Sequence, residues 1–123
     1  MSKIGRALVG AFDKVHRFFV PPYQAEVVEE FLPKKLDKRT LYIVEDDGFT
    51  EYAAMICPCG CREVLYMNLL QDERPCWKVI QNGDGTKSLH PSVWRQKDCR
   101  SHFWFRNGRV RWCSDSGPWW RRL

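Results

Sequence analysis

Histidine is scarce in this chain: three among 123 residues, at positions 16, 90 and 102. With so few imidazoles, a hydrolytic metal held by histidines and carboxylates around a vacant position has almost no ligands to draw on. Glycine-rich phosphate cradles are missing too, which argues against nucleotide hydrolysis. No apolar run approaches the roughly 20 residues of a membrane-crossing helix. The first twenty residues carry Lys3, Arg6, Asp13, Lys14 and Arg17, so they lack the unbroken apolar segment of a secretory signal. Repeats and low-complexity tracts are absent. Lacking an export signal and carrying cysteines in metal spacing, the chain is expected in a reducing cytoplasm.

What is present fits one packed domain with a modest core, small enough to gain from a metal staple. Apolar residues make up 44% and aromatics 14%, with six tryptophans. The net charge of +5 is unevenly spread. Residues 1–20 sum to +3 and residues 101–123 to +4, whereas 21–50 sum to −3. Basic ends of this kind suit nucleic acid, anionic lipid or an acidic protein face, and equally a solvated surface. Nucleic acid is not the expected partner.

Residues 2–19 read as an amphipathic helix. Ser2 is a fitting N-cap, and Ile4, Leu8, Phe12, Val15 and Phe19 recur at helical spacing until Pro21-Pro22 stops the run. Beyond the prolines the pattern turns strand-like. Strands are expected at 25–31, 40–44, 49–56, 63–69, 76–81, 86–89, 102–106 and 109–112. Turns fall at Asp46-Asp47-Gly48, Asn82-Gly83-Asp84-Gly85 and Asn107-Gly108. The expected fold is mainly β: a small antiparallel β domain with a zinc knuckle, over 23–123, behind one N-terminal amphipathic helix in 1–22.

The chain is organised around Cys57-Pro58-Cys59-Gly60-Cys61 and its distant partner Cys99-Arg100-Ser101-His102. In a straight strand, Cys57 and Cys61 would stand about 13 Å apart, too far for one ion. Pro58 and Gly60 allow the backbone to curl and gather the sulfurs. Zinc is the expected metal, in one of two allocations. Either His102 joins the ligands, or Cys57, Cys59, Cys61 and Cys99 close the shell and His102 is left for chemistry. Arg62 and Arg100 adjoin ligands and would offset thiolate charge. An iron–sulfur centre is the other candidate, but its Cys-x-His motif would need a histidine where Cys61 stands. Cys76 and Cys113 read as ordinary thiols.

A serine becomes nucleophilic when an imidazole takes its proton. Ser101 and His102, as strand neighbours, point to opposite faces, so Ser92 in His90-Pro91-Ser92-Val93-Trp94 is the better partner for His102. Glu63, just past Cys61, is the carboxylate expected to orient the imidazole. On spacing alone, a capping serine and a zinc-ligand histidine explain the same residues.

From Ala54 to Trp112, the ordered motifs CPCGCREV, SLHPSVW and CRSHFWFRNGRVRW resemble a bacterial family of small domains of unknown function. That family accompanies ubiquitin-like modifiers and E1- and E2-like enzymes, and resembles zinc-stabilised serine peptidases. The resemblance implies Cys57, Cys59, Cys61 and Cys99 as zinc ligands, His102 as base and Ser92 as nucleophile. It further implies cleavage after the C-terminal glycine of a ubiquitin-like protein, in precursor processing or deconjugation. Backbone N–H groups near the turn would hold the oxyanion. A groove walled by Trp94, Trp104 or Trp112 would take the flexible tail as an added strand. The competing expectation is a non-catalytic zinc module that binds the modifier, its conjugating enzymes or nucleic acid through Trp119-Trp120-Arg121-Arg122.

Overall fold

A computed structural model describes residues 20–117. The expected helix at 2–19 and the basic aromatic tail at 118–123 lie outside the described residues. Within them the chain is mainly β, with nine strands in three small sheets and no helix.

The largest sheet runs in the order Gln24–Glu29 (β1), Thr40–Asp46 (β2), Phe49–Ile56 (β3) and Val64–Asn68 (β4). β2 and β3 form the expected hairpin, turned by Asp47 and Gly48 at φ of 52° and 81°. A side chain at either position other than a short polar one would be strained there, which explains why Asp-Gly ends the β-branched run. β4 pairs antiparallel with β3 and leaves the cysteine loop that β3 enters. The departure from the expected antiparallel order is β1. It pairs parallel to β2, Val27 against Ile43, because residues 30–39 carry the chain back across the sheet before β2 begins. Such a crossover leaves no hairpin signal between the strands.

Lys78–Gln81 (β5) and Lys87–His90 (β6) form a second hairpin through the Asn82–Gly85 turn. The third sheet comprises Val93–Trp94 (β7), His102–Arg106 (β8) and Arg109–Trp112 (β9). β7, only two residues long, is too short for any periodicity to reveal. All three sheets share one core. Leu41, Ile43, Ala53, Met55, Leu65 and Met67 from the first meet Leu89 from the second and Val93, Phe103 and Phe105 from the third. Lateral contacts fix the third sheet in place. Tyr23 N–H donates to Gly108 O at 2.7 Å, and Gly108 N–H donates to Lys87 O at 2.7 Å. Asn107 N–H donates to Ser88 Oγ at 2.8 Å.

Candidate active site and metal centre

Alternation along β8 sorts its residues to two faces. Phe103 and Phe105 point into the core, so His102 and Trp104 face outward. Cross-strand pairing sets Trp94 of β7 beside His102, and their rings stack at 4.4 Å between centroids and 7° between planes. Trp104 carries the Arg106 guanidinium over its ring at 4.3 Å, and the His90 ring lies 5.9 Å from it. Trp112 departs from the expected groove. It pairs with Phe103, whose ring it meets edge-on at 5.6 Å, on the face away from His102.

Ser92 sits in the two-residue link between β6 and β7. Its Oγ lies 3.0 Å from His102 Nε2. The backbone around it is anchored by Trp77, whose indole N–H donates to Ser92 O at 3.2 Å. On the opposite side of the imidazole, Nδ1 lies 2.7 Å from Asp115 Oδ1. The loop bearing Asp115 is tied to the strand that bears His102. Cys113 N–H donates to His102 O at 2.9 Å, His102 N–H donates to Ser116 Oγ at 2.8 Å, and Gly117 N–H donates to Arg100 O at 2.7 Å. The imidazole is thus held by a stacked ring on its face, a hydroxyl at one nitrogen and a carboxylate at the other. That arrangement can shuttle a proton from Ser92 Oγ to Nε2 while Asp115 keeps the remaining proton on Nδ1.

Glu63 does not occupy the expected place. Its side chain is exposed, and its contribution is a backbone one, accepting the Cys57 N–H at 2.7 Å to close the cysteine loop. The carboxylate against Nδ1 comes instead from Asp115, thirteen residues beyond His102. The register offered a signal. A hairpin that pairs Phe103 with Trp112 must put Cys113 opposite His102 and the next residues beside the imidazole.

The four cysteines Cys57, Cys59, Cys61 and Cys99 converge, with their sulfurs within 4.8 Å of one another. Sulfurs at the corners of a zinc tetrahedron would stand about 3.8 Å apart, given Zn–S bonds of about 2.3 Å. Cys57 Sγ lies 3.4 Å from Cys59 Sγ and 3.7 Å from Cys99 Sγ, so the donor set fits a metal of that size. Gly60, Arg62, Asp98 and Arg100 all take positive φ, the tight backbone by which two loops curl around one point. His102 is not in this group. Burial pushes the Cys57 thiol up to about 12, against a hydrogen bond from Ser101 that lowers it. At Cys99 burial is overcome by hydrogen bonds from Ser101, and the thiol sits below its ordinary value.

Two neighbours of this centre escaped the spacing argument. Ser101 is fully buried with its hydroxyl 3.1 Å from Cys99 Sγ and 3.5 Å from Cys57 Sγ, so it serves the sulfurs and faces away from any substrate. Arg95 aims its guanidinium at Cys99 Sγ (3.4 Å) and Cys61 Sγ (3.7 Å), and is itself steadied by Asp98 at 3.0 Å. It takes the charge-offsetting place expected of Arg62 and Arg100, both of which are exposed. Cys113, expected as an ordinary thiol, lies beside His102 and Asp115. Burial and then the Asp115 charge raise it above its ordinary value.

No helix among the described residues is long and apolar enough to cross a membrane. No curated protein and no solved structure matches the chain. A family model does, over residues 28–113, a span that takes in the four clustered cysteines, Ser92 and His102. By that match the chain belongs to the family described as the bacterial ubiquitination-like system serine protease, BubE.

Proposed function

We propose that the protein is a serine peptidase that cleaves after the C-terminal glycine of a ubiquitin-like protein, to mature a precursor or to release the modifier from its targets. The observation that carries the reading is the single imidazole bonded to Ser92 Oγ at 3.0 Å and to Asp115 at 2.7 Å. His102 takes the Ser92 proton as the oxygen attacks the scissile carbonyl. It then returns that proton to the departing amine, and water repeats the cycle on the acyl-enzyme. Asp115 keeps the proton on Nδ1 and stabilises the imidazolium while it lasts. Trp94 holds the ring plane and excludes water from one face.

Cys57, Cys59, Cys61 and Cys99 would hold a structural zinc. Four thiolates leave no open position, so the ion would contribute folding energy rather than act on substrate. Substrate enters along the outward face of the third sheet. A small-residue tail lying beside the edge strand β7 passes Ser92 and then meets Trp104, which His90 and Arg106 both adjoin. Such an enzyme would work in the cytoplasm beside E1- and E2-like enzymes, in a reducing medium that keeps the thiols free. The non-catalytic alternative leaves the three-residue hydrogen-bond chain without a purpose.

The test is incubation with the neighbouring ubiquitin-like protein extended past its terminal glycine. Cleavage at that glycine, blocked by a serine-reactive phosphonate that becomes attached to Ser92, is the expected result. Binding without cleavage by the metal-loaded protein would leave only the binding module.

A further inference from the structure

A nitrogen, a sulfur and a carboxylate oxygen, from His102, Cys113 and Asp115, lie within 4.8 Å of one another on the outward side of the third sheet. We propose that these three residues form a second metal site, distinct from the four-cysteine centre, that takes a thiophilic divalent cation such as Zn²⁺ and switches the peptidase off. The proposal rests on the Ser92–His102 reading for its consequence but not for the site itself.

The backbone prepares the cluster before any ion arrives. The Cys113 N–H donates to His102 O at 2.9 Å and the His102 N–H donates to Ser116 Oγ at 2.8 Å, so all three donors project from one clasped segment. An imidazole, a thiolate and a carboxylate together suit zinc better than calcium or magnesium, which favour oxygen alone. The Asp115 side chain is 55% exposed, so a cation has an open approach and water can complete the coordination. Neither Cys113 nor Asp115 faces the buried sulfur centre. Ser101 of the preceding position turns to that centre, while His102 turns away from it.

Occupation would change the imidazole's chemistry. Asp115 Oδ1 stands 2.7 Å from Nδ1, so an ion held by Asp115 and Cys113 meets His102 at that nitrogen. Binding releases the Cys113 thiol proton to solvent. With the cation on the Nδ1 lone pair, the proton held there passes to solvent and one is taken up from solvent at Nε2, so the imidazole stays neutral in its other tautomer. Nε2 then presents an N–H to Ser92 Oγ instead of a lone pair, and the serine has lost its base. The hydrogen bond that orients the ring is lost in the same step. A cation therefore silences the site without blocking the entry of substrate.

The experiment starts from protein carrying one equivalent of zinc, kept reduced, with the ubiquitin-like protein bearing a C-terminal extension as substrate. Further zinc should lower cleavage more than tenfold, with full recovery on adding a weak chelator. Cys113→Ser and Cys113→Ala should cleave normally without added metal and need at least tenfold more zinc for the same inhibition. Cobalt added to the zinc-loaded protein should give a thiolate-to-cobalt charge-transfer band in the parent and in Ser92→Ala, and none in either Cys113 variant. Equal inhibition in parent and variants, or no band in the parent, overturns the site. A parent that shows the band but never cleaves supports the metal site and sinks the peptidase reading instead.

Discussion

Ser92 and Asp115 reach the same imidazole from opposite ends, and substitutions at each should separate two kinds of loss. Ser92→Ala removes the proposed attacking atom, so cleavage should fall by at least about a thousand-fold while zinc content and fold persist. Metal analysis and circular dichroism on the same sample check both halves. Asp115→Asn keeps the shape but no longer enforces a proton on Nδ1. Its cost should be about 10²- to 10⁴-fold in kcat with little change in KM, the smaller end reflecting an exposed carboxylate. Glu63→Gln should leave kcat within about threefold, because only the backbone of Glu63 is engaged. A large loss there would return the orienting role to Glu63. The meeting of Ser92 with His102 was readable from the chain because strand alternation alone turns Ser101 away from His102. The carboxylate that lies against Nδ1 was not. Proximity to a metal ligand pointed to Glu63, whereas proximity to His102 is created by the β8–β9 hairpin.

That hairpin is the element on which the site depends. Asn107 and Gly108 take φ of 52° and 70°, so the Asn-Gly pair makes the tight turn its sequence implies and sets the register that delivers residues 113–117. Gly108 has a second constraint that no hairpin rule contains. A Cβ there would lie 2.8 Å from Pro22 Cβ and 3.2 Å from the Tyr23 backbone. Gly108→Ala should therefore destabilise by about 1–3 kcal/mol, read as a lowered denaturation midpoint with an unchanged slope. Ser116→Ala tests the other end of the same element. It deprives the half-buried His102 N–H of its acceptor at a cost of about 1 kcal/mol, and should lower kcat more than stability because it loosens Asp115. Strands with a local partner, such as β2 with β3 or β8 with β9, showed in the sequence as β-rich runs around a turn. β1 showed as the strand expected at 25–31, but its parallel pairing did not, since it pairs across a crossover; β7, two residues long, did not show at all.

At the scale of the molecule, the sulfur centre joins chain ends that no sheet pairs. β3 ends at Ile56, next to Cys57, and Cys99 lies in the loop from β7 to β8, so the ion would tie the first sheet to the third. Cys57 is buried at 2% exposure and its metal-free thiol is raised to about 12, so without an ion this site holds a proton throughout the neutral range. A metal must displace that proton to bind, and each further thiol still protonated adds to the exchange. Affinity should consequently fall as pH is lowered, and calorimetry in buffers of different ionisation enthalpy should show proton release on binding. Removing the ion with a strong chelator should lower the unfolding midpoint and abolish cleavage together, because the loop that ends in His102 loses its anchor while Ser92 stays on the β6–β7 link. Zinc added back to one equivalent should restore both. If chelated protein retained full cleavage at an unchanged midpoint, the centre would be an ornament to the fold rather than the clamp that brings base and nucleophile into register.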